Sequence, residues 1–285
     1  MRAMSETTSA VLLTVVVDNV VQAPKLWAEH GLSILLETPE CRLLFDTGQS
    51  GKVLLHNTEV LGVDLGRLDA VVLSHGHYDH TGGLPSVQLQ PDMAKLYAHP
   101  GAFAEKFSRS PAGVLRPISS GLTRQAVGSL ELELVSTEAP QMIAPGILVC
   151  GEIPRVTDFE RVPASFLCRR GGSLMPDQLL DDQALVVETP TGLVVLLGCG
   201  HAGVVNTLEH VRQLGFSGPI RALIGGLHLQ SVSEEQLRLT IESFDRYDVE
   251  VVVPLHCTGF AATARIAREL GKRFVLGMVG SRLHF

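Results

Sequence analysis

Residues 71–83 read VVLSHGHYDHTGG. A β-type apolar run, Val71 to Leu73, stops at Ser74, and His75, His77, Asp79 and His80 follow within six residues. Imidazoles and a carboxylate at this density are metal ligands, zinc above all, with iron or manganese as alternatives. In an extended segment, side chains two apart point the same way. His75, His77 and Asp79 are therefore expected on one side and His80 on the other. That arrangement suits two neighbouring cations better than one.

The second half of the chain shows what must complete such a site. LVVLLGCGHAG (193–203), RALIGGLHL (221–229) and VEVVVPLHCTG (249–259) are near-continuous apolar runs. Each is followed by a helical pattern, VVNTLEHVRQLG, the segment from Ser233 with Gln236 as a capping box, and FAATARIARELG. Strands alternating with helices imply parallel pairing, and sites in such sheets lie beyond the carboxyl ends of the strands. Cys199, His201, His228 and His256 stand at those ends, so they are expected to meet the early motif.

The first half reads as strands at 11–17, 32–37 and 41–45, with a turn at Pro39-Glu40 and a helix over 52–61. CRLLFDTG is a strand ending on Asp46, a carboxylate placed to orient a metal-bound group or to cap the next helix. Residues 84–180 are less regular, with strands near 97–100 and 130–135 and an arginine-bearing stretch, GEIPRVTDFERVP (151–163). They read as an insertion or substrate-facing segment within one domain spanning 1–285.

Lys and Arg total 23 against 30 Asp and Glu, a net charge of −7. That balance argues against a nucleic-acid binder, whose affinity rests on clustered positive charge. It leaves room for a small anionic substrate, because bound cations dominate the local field. No run approaches the ~20 apolar residues of a membrane span, and the apolar N-terminal stretch reads as a first strand rather than a signal peptide. Five scattered cysteines without a CxxC pair fit a reducing compartment, hence a cytoplasmic protein without disulfides. The expected partner is a small-molecule substrate, with neither nucleic acid nor membrane; oligomeric state leaves no trace in the sequence.

HGHYDH matches the HxHxDH signature of the metallo-β-lactamase superfamily, preceded by a strand ending in Asp-Thr-Gly. DTGQSG (46–51), SHGHYDHTGG (74–83), GEIPR (151–155), GCGHAGVVNT (198–207), IGGLHL (224–229) and PLHCTG (254–259) more closely resemble its branch of 7,8-dihydropterin-6-yl-methyl-4-(β-D-ribofuranosyl)aminobenzene 5′-phosphate synthases. The resemblance implies an α/β fold, a four-layer αββα sandwich with two metal ions at one sheet edge. It puts His75 and His77 on the first metal, and Asp79, His80 and the late His256 on the second. The superfamily's third first-site histidine has no counterpart between His99 and His201, so His201 is assigned that place. Cys199 stands where many relatives have a bridging aspartate, as a ligand or as a small core residue.

Two cations ~3.5–4 Å apart lower the pKa of a shared water and stabilise developing charge. Asp79 is a candidate to accept its proton, Asp46 to orient the ligands from behind, and His228 to act on substrate or as general acid. His30, in AEHGLS, and Arg155 are candidates for substrate binding, and Arg161 shares the fork geometry that binds phosphate. The expected activity is metal-dependent hydrolysis of a small phosphorylated or ester-like metabolite. A pterin-linked synthase, a lactonase or thioesterase, and a non-catalytic metal or ligand sensor remain open beside it. Neither the basic surface of nuclease relatives nor the flavin domain of redox relatives is expected here.

Overall fold

The computed structural model describes residues 11–87, 94–130 and 132–285. The start of the N-terminal stretch, residues 1–10, and residue 131 of the strand expected at 130–135 lie outside the described residues. The first lobe begins with β1 (Leu12–Val17), β2 (Ser33–Glu37) and β3 (Arg42–Phe45), then α1 (Gly51–Leu61), β4 (Ala70–Val72), a single helical turn α2 (Tyr78–Thr81) and β5 (Lys95–Ala98). Next come β6 (Lys106–Arg109), β7 (Leu115–Pro117), α3 (Arg124–Gly128), β8 (Glu133–Ser136), β9 (Gln141–Ala144), β10 (Ile147–Val149), β11 (Phe166–Arg170) and β12 (Ser173–Pro176). The chain closes with β13 (Ala184–Thr189), β14 (Gly192–Leu197), α4 (Val204–Gln213), β15 (Ile220–Gly226), α5 (Glu234–Arg246), β16 (Val252–Leu255), α6 (Phe260–Leu270) and β17 (Arg282–His284).

These strands form a seven-stranded sheet in the order β17-β1-β2-β3-β4-β5-β8, a six-stranded sheet in the order β16-β15-β14-β13-β10-β9, and a four-stranded sheet in the order β12-β11-β6-β7. Strands β3, β4, β5 and β8 run parallel, as do β14, β15 and β16. Alternation along each strand assigns its side chains to layers. Ile34, Leu36, Leu43, Phe45 and Val72 of the first large sheet share one core with Leu185, Val194, Leu196, Ile224 and Val253 of the second. Leu35, Leu44 and Val71 face the other way, onto Leu54 of α1 and Val127 of α3. Val195 and Leu223 pack on Leu208 and Val211 of α4, Ile241 and Phe244 of α5, and Ile266 of α6. Helix, sheet, sheet and helix therefore stack as four layers, and both large sheets are apolar on both faces, which is why their strands read as unbroken hydrophobic runs.

Residues 84–180 differ from the insertion expected of them. They contribute β5 and β8 to the first large sheet, β9 and β10 to the second, and all of the four-stranded sheet. That small sheet sits over the early motif, with Tyr78 N–H donating to Ile118 O at 2.8 Å. Among the described residues, no helix is long and apolar enough to cross a membrane.

Candidate metal centre

The early motif leaves β4 in extended form, but the extension ends at His77. Tyr78–Thr81 make one helical turn, so Asp79 and His80 are placed by helical rather than two-residue geometry. This corrects the expected side-by-side grouping of His75, His77 and Asp79. Asp79 instead lies with His80, its Oδ2 3.8 Å from His80 Nε2, and both face His256. The partner residues come from the other large sheet: Cys199 and His201 follow β14, His228 follows β15 and His256 follows β16. The sheets approach closely where these ends meet. A Cβ at Gly198 would fall 2.0 Å from Ser74 Oγ, so only glycine lets the Cys199 segment reach the motif.

Three of the strand-end residues, Asp46 (φ 60°), His228 (φ 49°) and His256 (φ 48°), adopt the left-handed backbone region that non-glycine residues rarely occupy. Hydrogen bonds hold two of them there. Asp46 O accepts from Ser33 Oγ at 2.8 Å, and His256 N–H donates to Asp18 Oδ1 at 2.8 Å. The left-handed turn reverses the chain at the strand end and turns the side chain toward the sheet edge.

The hydrogen-bond network fixes which imidazole nitrogens carry protons. Ser74 Oγ donates its only proton to Asp46 Oδ2 at 2.7 Å, so it accepts from His75 Nδ1 at 2.9 Å. His80 Nδ1 donates to the same Asp46 oxygen at 2.6 Å. His256 Nδ1 donates to Asn19 Oδ1 at 2.9 Å, an oxygen also fixed by Gly31 N–H at 3.1 Å. Each ring therefore turns a bare Nε2 inward. His80 Nε2 and His256 Nε2 face one another at 3.2 Å, with Cys199 Sγ 3.2 Å from the first and Asp79 Oδ2 3.3 Å from the second. A shared proton or a cation between the two nitrogens would relieve the repulsion of facing lone pairs.

Buried beside them, His75 Nε2, His77 Nε2 and His201 Nδ1 have no hydrogen-bond partner. The rings of His75, His77 and His201 stand 4.5–4.9 Å apart, and His201 Nε2 is 3.3 Å from His77 Nδ1. Burial, reinforced by neighbouring histidines, holds His75 and His201 well below the usual imidazole range, and burial takes His77 to about 3. All three are neutral donors of lone pairs. His80 differs: burial alone would lower it, but the Asp46 and Asp79 carboxylates overcome that and raise it to about 9. Asp79 is raised by burial, yet His80, His256 and His30 outweigh this and hold it well below the usual carboxylate range.

Cys199 joins the two groups. Its sulfur lies within 4.8 Å of the ligand atoms of His75 and His201, and within the same limit of His80 and His256. The donor atoms thus form two groups, His75 with His201 and His80 with His256, that share Cys199, and each group is of a kind that holds a cation. His30 Nε2 lies 3.1 Å from Asp79 Oδ2, its ring stands 5.0 Å from that of His256, and it also lines the cavity. The cavity, about 310 Å3, includes His77, Asp79, Cys199, His201, His228 and His256 in its wall, with Tyr78, Phe166, Leu229 and Val232 beside them.

Arg155 is elsewhere. Its guanidinium donates to the carbonyls of Ile153, Gln178 and Leu179, which makes it a clamp for the loop instead of the substrate contact expected. Arg161 reaches the cavity wall, as does Glu160, whose carboxylate accepts from Val205 N–H and Asn206 N–H and so caps α4. His210 Nε2 donates to Cys150 O at 3.1 Å, a structural contact.

Several residues that position the cluster escaped the sequence reading. Asp18 and Asn19 hold His256 from both its backbone and its ring. Asp181 Oδ2 accepts from Gly76 N–H at 2.8 Å, Asp182 Oδ2 accepts from Ala202 N–H at 2.6 Å, and Gln183 Nε2 donates to Leu73 O at 3.0 Å. Three consecutive side chains thus tie the early motif to the His201 loop. Lys106, 1% exposed, bridges Asp177 and Asp181 at 2.8 Å each. The signal available was three polar residues, Asp181-Asp182-Gln183, directly before the apolar ALVVET strand.

The family model of the metallo-beta-lactamase superfamily matches residues 26–256. An uncharacterized protein of Methanocaldococcus jannaschii, MJ0448, is 33% identical over 272 residues, covering 94% of this chain and 98% of that protein. The 7,8-dihydropterin-6-methyl-4-(beta-D-ribofuranosyl)-aminobenzene-5′-phosphate synthase of the same organism is 30% identical over 256 residues, 87% of each chain. Among solved structures, a metal-dependent hydrolase of the beta-lactamase superfamily superposes with a TM-score of 0.82 at 30% identity, covering 96% of this chain and 98% of its own.

Proposed function

The chain belongs to the metallo-beta-lactamase superfamily, and on that premise we propose that it is a dinuclear metal-dependent hydrolase acting on a small phosphorylated or ester-like metabolite. The observation that carries this reading is the convergence of ring nitrogens: His80 Nε2 and His256 Nε2 opposed at 3.2 Å, beside the unpartnered His75 Nε2 and the His77 Nδ1–His201 Nε2 pair at 3.3 Å. In it, His75, His77 and His201 would hold one cation and Asp79, His80 and His256 the other, with Cys199 within reach of both groups. Zinc suits the donor set best, with iron or manganese next. Two such cations, when bound, supply an activated water near neutral pH and neutralise charge in an in-line displacement.

The chain's own groups do the rest. Asp46 orients one ligand of each cation, His80 directly and His75 through Ser74. Asp79, kept ionised and anchored by His30, is placed to accept a proton at its carboxylate. His228, at the cavity wall, is placed to protonate a leaving group. Leu229, Val232 and Phe166 exclude water from one side.

The relative with the synthase name, 30% identical, supports a second reading in which the same centre forms a bond to a ribose-phosphate partner. A lactonase or thioesterase would use the same groups, and a sensor would bind metal without turnover. Purified protein analysed for metal, stripped with a chelator and offered chromogenic phosphodiesters, phosphomonoesters, lactones and thioesters separates them. We expect about two metal equivalents and turnover of at least one ester that chelation abolishes and zinc restores. Full activity in verified metal-free protein would refute the reading, and binding without turnover of any substrate would favour the sensor.

A further inference from the structure

His228 holds neither ion of the proposed dinuclear pair, yet it is partly buried beside two sulfurs, and a ligand role there would replace the leaving-group role given to it above. Cys199, His228 and Cys257 each offer a ligand atom, and the three atoms lie within 4.8 Å of one another. All three residues line the cavity. Both cysteines are free thiols, and Cys257 Sγ lies 3.4 Å from Cys199 O. The left-handed backbone at His228 turns its ring into this corner, where its Nδ1 is buried with no hydrogen-bond partner.

The backbone keeps the corner open. Gly226 ends β15 between the two cysteine segments, and a Cβ there would stand 2.8 Å from Cys257 Sγ and 3.2 Å from Cys199 Cα. Any side chain at this position would push the sulfurs apart. The glycine therefore permits two thiols, carried by strands that flank β15, to meet over it.

We propose that Cys199, His228 and Cys257 form a third, sulfur-rich cation position that takes a thiophilic ion such as zinc, cadmium or cuprous copper. Two thiolates and an imidazole are a soft donor set, distinct from the histidine and carboxylate donors around Asp79. Sulfurs bound at about 2.3 Å to a tetrahedral ion stand roughly 3.8 Å apart, so small side-chain rotations bring the observed trio into range. Binding releases the two thiol protons to solvent, and no redox partner is needed. Three protein donors with their open side on the cavity leave the fourth position to water or substrate, the pattern of a catalytic site rather than a closed structural one. Only Cys199 is shared with the dinuclear pair, so the two sites can be tested apart.

The full chain, stripped of metal, is titrated with Co2+ while dialysis counts equivalents and near-ultraviolet absorption reports sulfur-to-cobalt charge transfer. The wild type should take up one equivalent more than Cys257→Ser, and the variant should lose the charge-transfer intensity that belongs to that equivalent, keeping only what Cys199 gives within the dinuclear pair. His228→Gln, which leaves both sulfurs in place, should lose the same equivalent and covers the case in which the serine variant folds poorly. Equal stoichiometry and equal absorption in wild type, Cys257→Ser and His228→Gln would overturn the proposal. Failure of the dinuclear reading looks different: His80→Ala would then remove no equivalent.

Discussion

The seven-stranded sheet delivers His75, His77, Asp79 and His80 through one continuous stretch, whereas the six-stranded sheet delivers Cys199, His201, His228 and His256 one strand end at a time. The first half is aligned from behind by a buried carboxylate, Asp46, which serves two of its four donors. Among the described residues, the second half has no such shared anchor. Its members are placed by the spacing of parallel strands and by separate contacts, Asp18 and Asn19 for His256 and Asp182 for the backbone beside His201. Damage to the first half should therefore spread through the centre, and damage to the second should stay local.

Asp46→Ala is the severest test. It strips the acceptor from His80 Nδ1 and Ser74 Oγ together, and its side chain is fully buried. Metal affinity should fall by about 10–100-fold at both cation positions, with activity following. Asn19→Ala, the matching change behind His256, should weaken one position only. Equal loss from both variants, read by metal titration, would erase the distinction between the halves.

Lys106→Met probes the strut that joins them. It would leave Asp177 and Asp181 buried without their cation, at a cost of about 3–5 kcal/mol in denaturant unfolding. A loss below about 1 kcal/mol, typical of exposed pairs, would show that the strut carries little.

Asp182, beside that strut and bonded to Ala202 N–H, carries a pH signature. Burial raises its carboxyl from 3.8 to about 7. Between those values the folded protein holds a proton that the unfolded chain releases, so this group's contribution to stability falls as pH rises from about 4 to about 7 and is flat above. Asp182→Asn keeps an acceptor for Ala202 N–H and removes the titration. Its stability advantage over the wild type should grow from pH 5 to pH 8, on the order of 2–4 kcal/mol. A pH-independent difference between the two unfolding curves would contradict this.

The smallest effect is expected at His30→Ala. His30 is half exposed and meets the edge of the centre, at Asp79 Oδ2 and beside the His256 ring. Turnover should drop by about 10-fold at most, with metal content kept, since orienting contacts behind a ligand contribute modestly. Loss of bound metal in this variant would make His30 part of the ligand set itself.

The same contrast explains what could be read from the sequence. HGHYDH is legible because its donors are contiguous, and the strand-helix alternation after residue 190 placed His201, His228 and His256 at strand ends. Sequence periodicity did not reveal that β4 and β14–β16 belong to different sheets, because pairing between distant strands leaves no local mark. It also misplaced Asp79, since a single helical turn beginning at Tyr78 interrupts an otherwise extended run. Asp18, Asn19 and Asp181-Asp182-Gln183 act by accepting or donating to backbone groups far along the chain. Such roles depend on what the fold brings near, so their residue types alone carry no pattern. Arg155 illustrates the converse, a fork-shaped cation whose partners are carbonyls of its own neighbourhood.

The left-handed conformations of Asp46, His228 and His256 bear on how this protein responds to selection. Each such residue holds about 1–3 kcal/mol of backbone strain that glycine would relieve. A search for thermostable variants that ignores activity would thus be drawn to glycine at these three positions, replacing the very side chains gathered at the sheet edge. Screens of this scaffold that score only folding would drift toward inert proteins, and those that score chemistry would hold the strained residues in place.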